Sequence, residues 1–143
     1  MMNNNLTATN TVVFNAPVEK VWDALVNPEK IKQYLFGTNA VSDWKEGSDL
    51  FFRGEYNDQT YEDKAKIITL QPNKKFEYTY WSAFSKLPDV PENYSHLTFE
   101  LEGNGDTTTL TYTQTGFANE DGRDHSVKNW EGVMEGMKKV VEE

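Results

Sequence analysis

Four ionisable side chains could supply acid–base chemistry in this sequence: His96, His125, Asp63 and Arg53. A catalytic acid or base must reach the reacting atom, so its side chain has to face a cavity rather than solvent. His96 and Arg53 alternate with apolar residues that face the other way, and His125 follows the charged segment 121–124, which predicts a solvated, capping histidine at the start of a helix. Asp63 shares the parity of the apolar residues after it, but it lies near a strand end, where it is expected to reach water. We therefore expect no catalytic residues.

Metal and thiol chemistry have little support in the composition. The chain contains no cysteine and two histidines. Without cysteine, disulfides, iron–sulfur clusters, thiolate zinc sites and thiol catalysis are excluded. Neither a glycine-rich phosphate loop nor an HExxH metal helix is found in the sequence. We expect no metal site and no cofactor.

Aromatic and amide side chains indicate a different chemistry, the binding of a small molecule. Alternation within the predicted strands places rings and a few polar groups on one sheet face that is nearly free of charge. Tyrosine occupies several of these positions, and a buried phenol or amide needs a hydrogen-bond partner. The residues expected to line this face, or to stand above it, are Phe52, Tyr78, Tyr80, Phe99, Tyr112, Gln114, Trp130 and Met134.

Two interpretations of this face are open. Aromatic and methionine side chains at these spacings usually fill a solid core. Alternatively, the face encloses a hollow core in which Gln114 and the phenols orient an apolar ligand. On the opposite face, Phe51 and Trp81 are expected to be either contact residues for a partner or, as is more common, ordinary surface aromatics.

Hydrophobic periodicity predicts the elements that position these side chains. A two-residue period predicts strands near 6–15, 41–43, 48–56, 61–71, 75–81, 94–102 and 107–115. Apolar residues three and four apart predict a helix over Pro17–Val26 and a second, short helix that begins at Pro28 after the capping residue Asn27. The same spacing from Val127 to Val141 predicts a long C-terminal helix. The expected fold is α+β, a curved seven-stranded antiparallel sheet with two short helices and the long helix across its apolar face.

Length and charge limit the organisation and the partners. The 143 residues suit one domain over residues 1–143, with residues 1–5 expected to form a disordered tail. A formal net charge of -9 disfavours nucleic acid and anionic membrane surfaces as partners. The first residues lack the features of a secretory signal, and no stretch is long enough to span a membrane, so a cytoplasmic location is expected. The expected assembly is a monomer or a homodimer.

Three segments of the sequence resemble a known family. They are Asn15–Leu25, Pro28-Glu29, and Gly116-Phe117 followed by Asn129–Met134. In combination they resemble the SRPBCC or START-like superfamily, which is similar to Bet v 1, and within it the group homologous to the activator of the heat-shock protein 90 ATPase. The resemblance extends from about residue 9 to residue 141. It implies the helix-grip fold, in which a long C-terminal helix grips a seven-stranded sheet around a cavity.

The sequence departs from that family at two places, the expected mouth of the cavity and one strand. The family often has Trp where Tyr34 or Leu35 stands, and Gly where Ala65 stands. The resemblance therefore implies that the mouth of the cavity and the geometry of one strand differ in this chain.

The inner face and the resemblance lead to three functional hypotheses. The first is non-catalytic binding of a hydrophobic or amphipathic small molecule in a cavity between the sheet and the C-terminal helix. The second, implied by the resemblance, is a chaperone-associated or stress-response interaction module. The third and weakest is an enzyme similar to the polyketide cyclases of the superfamily.

Gly132 and Gly136 form a G-x-x-x-G spacing on the last helix. The charged residues between and beside them exclude a lipid setting, where this spacing promotes helix dimerisation. The two glycines are expected either to allow close packing on the sheet or to let the helix bend.

Overall fold

The computed structural model describes residues 3–35, 37–56, 58–83, 87–117 and 119–142. The elements, in chain order, are β1 (Asn3–Phe14), α1 (Val18–Val26), α2 (Pro28–Tyr34), β2 (Asn39–Ser42), β3 (Asp49–Tyr56), β4 (Gln59–Gln71), β5 (Lys75–Trp81), a 3-10 turn (Pro91–Asn93), β6 (Ser95–Asn104), β7 (Thr107–Phe117) and α3 (Glu120–Glu142). This order confirms the predicted α+β fold. Asn57, which belongs to a predicted turn, lies outside the described residues.

One antiparallel sheet contains all seven of these strands, in the order β1-β7-β6-β5-β4-β3-β2. Strands β2 to β7 are each paired with the next, as their short connections require. The first strand joins the far edge by pairing with β7. Register shifts interrupt the β1–β7 ladder between Asn3 and Thr7 and the β4–β5 ladder between Ile67 and Thr69. Because such irregularities bend strands and increase their twist, they contribute to the curvature of the sheet.

The start of β1 lies within the segment that was expected to be a disordered tail. Asn3 pairs with Phe117, because β7 continues to residue 117, beyond its predicted end at residue 115, and offers its backbone groups to the first strand. Residues 3–5 are thus part of the sheet, in contrast to the expected tail. Met1 and Met2 lie outside the described residues.

Side-chain caps explain where two of the helices begin. At the start of α2, Asn27 accepts a hydrogen bond from the backbone N–H of Glu29 at 3.0 Å, as predicted. At the start of α3 the capping residue is Asn119, whose Oδ1 accepts the backbone N–H of Gly122 at 2.9 Å. The predicted capping role of His125 is therefore wrong, since this residue already lies inside the helix.

The predicted strand faces agree with the observed burial. The buried side chains of the inner face include Leu50, Phe52, Asp63, Ala65, Ile67, Phe76, Tyr78, Leu97, Phe99, Leu101, Leu110, Tyr112 and Gln114. Phe51 and Trp81 belong to the outer face and are half-buried. The two-residue period therefore identified the face of the sheet that α3 covers.

His96 and Arg53 point outward, as predicted, and each pairs with a carboxylate there. Arg53 Nε contacts Glu62 at 2.7 Å, and a ring nitrogen of His96 contacts the Glu77 carboxylate. Burial alone would raise the pKa of Glu77, but hydrogen bonds from Thr69 and His96 outweigh burial and lower it. Both candidate catalytic groups are thus engaged on the face opposite α3.

Helix α3 lies across the inner face, and both halves of the helix are hydrogen-bonded to β1. The Asn10 side chain donates to the Val127 carbonyl at 3.2 Å, and Lys138 Nζ donates to the Val13 carbonyl at 3.0 Å. The buried residues of α3 are Val133, Met134, Met137 and Val141. Because the closest approach is to β1, a gap remains between the first turns of α3 and the middle strands.

Gly136 sets the contact between α3 and α2. A Cβ at this position would lie 3.6 Å from the Cβ of Tyr34, so the backbones approach closely. Gly132 instead faces open space, with nothing within 4 Å of such a Cβ. The close packing expected of the two glycines therefore involves Gly136 alone, and its partner is α2 rather than the sheet.

The end of the core beneath α1, α2 and the second half of α3 is solidly packed. The ring of Phe76 meets four other rings there, those of Trp22 at 6.4 Å, Trp44 at 6.3 Å, Tyr78 at 5.1 Å and Phe99 at 6.2 Å between centroids. The void left among these side chains is about 20 Å³, which holds roughly one water molecule. The solid-core interpretation is correct for this end.

Candidate functional site

The other end of the core is hollow. A cavity of about 980 Å³ lies between the first half of α3 and the inner face of the sheet. Exposed residues stand at its rim, among them Glu55, Leu87 and Asn129, so the cavity opens to solvent between α3 and the loop that follows β5. Sites for small molecules in proteins usually enclose about 300–1,000 Å³, so this cavity is large enough for one.

Five of the eight residues predicted from the sequence line the large cavity. They are Phe52, Tyr78, Tyr80, Gln114 and Trp130. Three of them, Phe52, Tyr78 and Trp130, also border the small void of the packed end, so they form the boundary between the hollow and the solid parts. Contact of these residues with a ligand stays a prediction.

The other three predicted residues lie outside the large cavity. Phe99 and Met134 border the small void, and Tyr112 is fully buried and borders neither space. Tyr112 stacks on Trp130 with ring centroids 4.8 Å apart, and Phe99 meets Trp130 edge-on at 5.5 Å. These two rings fix the orientation of the indole that does face the cavity.

A hydrogen-bond network holds the Gln114 amide at the cavity wall. Its Oε1 accepts hydrogen bonds from the Tyr112 hydroxyl and, at 3.0 Å, from Ser126 Oγ, and its Nε2 donates to Ser95 Oγ at 3.1 Å. Burial raises the pKa of Tyr112, so the phenol stays a neutral donor. The network connects β6, β7 and α3, and it fixes which atoms of the amide face the cavity.

Asp63 is the buried carboxylate of the wall, with 7% of its surface exposed. The Tyr80 hydroxyl donates to Oδ2 at 2.5 Å, and the backbone N–H of Ala83 donates to Oδ1 at 2.8 Å. Burial raises the pKa of Asp63, and these two hydrogen bonds, which favour the charged form, offset part of that rise. The water contact expected from the position of Asp63 near a strand end is small, because Tyr80 and the chain after β5 cover the carboxylate.

The hydroxyl of Tyr78 faces the cavity and makes no hydrogen bond to a described residue. The residue is 5% exposed, and burial raises the pKa of its phenol well above the usual value. No fully buried polar side-chain atom of the described residues lacks a partner, so this hydroxyl is accessible, and water or a bound molecule can accept its hydrogen bond. Tyr78 is therefore a candidate donor to a ligand.

Several polar residues of the wall were not identified from the sequence. Ser126 and Asn129 line the cavity from α3, Ser95 lines it from β6, and His125 lies at the exposed rim. The spacing of apolar residues in a sequence does not indicate where small polar side chains line a cavity. The helical spacing of 126, 129 and 133 places these α3 residues on one face with Val133, and extending the apolar stripe toward the start of the helix could have found them.

Within the described residues, no three His, Asp or Glu side chains are grouped in a way that could hold a metal ion. Among the helices that the structure describes, none combines the length and the apolar composition needed to cross a membrane.

Comparisons with known proteins agree with this architecture. The sequence profile of the family described as activator of Hsp90 ATPase homolog 1-like protein matches residues 15–142. ChR145 from Cytophaga hutchinsonii, whose structure was determined in solution, is 43% identical, with 94% of this chain and 92% of that chain covered and a TM-score of 0.82. No curated protein matches the sequence.

More distant structures share the fold. The solution structure described as the Aha1 dimer from Colwellia psychrerythraea is 19% identical, covers 95% of this chain and 96% of its own, and has a TM-score of 0.74. CalU16 from Micromonospora echinospora is 18% identical, covers 94% of this chain and 75% of its own, and has a TM-score of 0.75. With the profile match over nearly its whole length, the chain belongs to the activator of Hsp90 ATPase homolog 1-like family and has its Bet v 1-like helix-grip fold.

Proposed function

We propose that this protein binds a hydrophobic or amphipathic small molecule in the cavity beneath the first half of α3, without catalysing a reaction on it. The observation that carries the proposal is the cavity of about 980 Å³, which is bounded mainly by apolar and aromatic side chains. Small-molecule sites are usually built in this way, with a few polar groups that fix the orientation of the ligand.

The polar groups of the wall suit orientation better than catalysis. Tyr78 offers a free donor, and Gln114 is held in one orientation by its network. Both oxygens of Asp63 already accept hydrogen bonds from the protein, and His125 lies at the exposed rim. General acid–base catalysis requires a group positioned at the reacting atom, and this arrangement supports binding instead.

Two measurements test the proposal. Native mass spectrometry of freshly purified protein is expected to detect a retained small molecule. Nile red, a neutral apolar dye, is expected to bind with an increase in fluorescence. Val133→Phe places a ring in the cavity and is expected to weaken dye binding by about ten-fold or more, because it fills the space the dye needs.

Val140→Phe is the matched control for this experiment. Val140 lies on the same helix, is half-buried and packs against the core, but it does not line the cavity. Dye binding equal to that of the wild type is expected for this variant. A wild-type protein that retains no molecule and does not bind Nile red would contradict the proposal, as would equal dye binding by the two variants.

The second candidate function is interaction with a chaperone or another stress-related partner in the cytoplasm. The family match and the net charge of -9, which favours a basic docking surface on the partner, support it. Pull-down of a purified Hsp90-type chaperone at low and high salt tests this function, since attraction between exposed charges is screened as salt rises. Absence of the chaperone at low salt would contradict it.

The oligomeric state is proposed to be a monomer or a homodimer. The similar Colwellia psychrerythraea protein is described as a dimer, which supports the second possibility. Light scattering of the purified protein distinguishes the two states.

A further inference from the structure

The described lining of the cavity contains two carboxylates and one histidine, Asp63, Glu55 and His125. The cavity-lining residues that the structure describes include no lysine and no arginine. Asp63 is buried in the wall, Glu55 lies at the rim, and His125 is exposed at the opening. The cavity therefore presents buried negative charge to whatever enters it.

Asp63 has no positive partner among the described residues. It takes part in none of their ion pairs, although Arg53 of β3, Lys64 of β4 and Lys75 of β5 each pair with another carboxylate. The two groups that donate to Asp63, the Tyr80 hydroxyl and the Ala83 N–H, are neutral. A buried charge is costly unless a counter-charge compensates it, so the site lacks a cation that a ligand could provide.

Aromatic rings surround the same position. Phe52 is the direct cross-strand partner of Asp63, and such pairs have neighbouring side chains on one face. The Phe52 ring lies 5.9 Å from the rings of both Tyr78 and Tyr80. The faces of aromatic rings attract cations, and rings beside a carboxylate form a common kind of site for organic ammonium groups.

We infer that the cavity selects ligands that carry a protonated amine next to an apolar or aromatic body, with the ammonium group placed between Asp63 and the rings of Phe52, Tyr78 and Tyr80. This inference rests on the proposed function and names the class of ligand. The remaining lone pairs of the Asp63 carboxylate accept hydrogen bonds from the ammonium, while the rest of the ligand lies against Trp130. Carboxylate ligands such as fatty acids are disfavoured, because their charge would face Asp63.

Three indole compounds that differ in one group test this selection. They are tryptamine, which is an ammonium ion at pH 7, tryptophol, which is neutral, and indole-3-propionate, which is an anion. Isothermal titration calorimetry with the wild-type protein is expected to give the order tryptamine, tryptophol, indole-3-propionate, with tryptamine binding about ten-fold or more tighter than indole-3-propionate.

Two variants separate a direct contact from general attraction to an acidic protein. Asp63→Asn keeps the size of the side chain but removes its charge, and it is expected to reduce the preference for tryptamine over tryptophol to less than about two-fold. Glu62→Gln removes the same charge from the adjacent residue, which points to the outer face and pairs with Arg53. The preference in Glu62→Gln is expected to equal that of the wild type.

A second measurement uses the wild-type protein alone, in case Asp63→Asn does not fold. Tryptamine is expected to shift the backbone amide resonances of Asp63 and Ala83, because their groups meet at the carboxylate. Absence of tryptamine binding, absence of its preference, an unchanged preference in Asp63→Asn, or unshifted resonances at these two residues would overturn the inference. If Nile red binds in any of these cases, the proposed function stands, whereas failure of Nile red as well removes both.

Discussion

Replacing Gln114 by leucine tests how much the buried polar network contributes to stability. Leucine has a similar size, but it offers no acceptor to the Tyr112 hydroxyl and no donor to Ser95. Tyr112 is 0% exposed, and its only other described neighbour for a hydrogen bond is Ser126 Oγ, at 3.4 Å. A buried polar group left without a good partner costs about 1–3 kcal/mol, so Gln114→Leu is expected to lower the free energy of unfolding by that amount.

A double-mutant cycle isolates the contribution of the network. Tyr112→Phe removes one donor, but Gln114 Oε1 still accepts from Ser126, so a loss of about 0.5–1.5 kcal/mol is expected. In the double variant no phenol is left without a partner, and its loss is expected to be smaller than the sum of the single losses by about 1 kcal/mol. Urea denaturation at pH 7 with linear extrapolation gives all of these free energies.

The control is Thr113→Val, on the same strand but with its side chain on the outer face. This change is expected to alter stability by less than about 0.5 kcal/mol. Single losses that add in the double variant, or a Gln114→Leu protein as stable as the wild type, would refute the reasoning. A large loss in Thr113→Val would show that the strand, not the network, is sensitive.

Four further predictions concern stability measured by urea denaturation. Trp130→Ala is expected to cost about 3 kcal/mol, the low end of the range for buried large aromatics, because one side of the ring faces the cavity; a cost near 5 kcal/mol would indicate a fully packed ring. Burial raises the pKa of Asp63, so the contribution of this residue to stability falls as pH rises above about 4. The free energy of unfolding of Asp63→Asn is therefore expected to rise relative to that of the wild type over that range. The pKa of Glu77 is lowered, so its contribution to stability is present above about pH 4.3 and is lost on acidification. The free energy of unfolding of Glu77→Gln is therefore expected to fall relative to that of the wild type as pH rises. If the Asp63 and Glu77 variants changed in the same direction with pH, both pKa directions would be contradicted. Gly132→Ala is expected to raise stability by about 0.5–1 kcal/mol, since the site is an open helix position, whereas Gly136→Leu is expected to lower it because α2 lies against that position; a loss in the alanine variant would contradict this account.

The sequence predicted the sheet, its faces and the long helix because each rests on a local pattern. The alternation of Tyr78 with Glu77 and of Gln114 with Thr113 identifies the inner face, and it requires no knowledge of the neighbouring strands. The spacing from Val127 to Val141 similarly identifies the side of α3 that is covered.

The place along the inner face where the core becomes hollow could not be predicted in the same way. Alternation assigns a residue to a face of the sheet but not to a position along that face. Phe99, Met134 and Tyr112 were therefore grouped with residues of the cavity, although Phe99 and Met134 border the packed end and Tyr112 borders neither space. That position depends on how α3 sits on β1 and on its contact with α2 at Gly136, and both are contacts between residues far apart in the chain.

The start of α3 shows the same limit on a smaller scale. A charged run predicted a solvated, capping histidine. His125 is exposed, as expected, but the helix begins at Glu120 after the cap at Asn119, so His125 lies inside the helix and beside the cavity mouth. Whether Asn119 or a later residue caps the helix depends on where β7 ends, and the sequence pattern left that end uncertain by two residues.

The boundary formed by Phe52, Tyr78 and Trp130 separates the packed part of the core from the part that lines the cavity. Residues on the packed side stabilise the fold, while exposed residues at the rim of the open side, such as His125 and Asn129, bury little apolar surface and can be exchanged at low cost. Proteins built in this way can evolve to bind new ligands through a few substitutions in the cavity wall, while the packed core stays the same. The same division makes the open side a practical starting point for engineering sensors, since its shape can be altered without redesigning the rest.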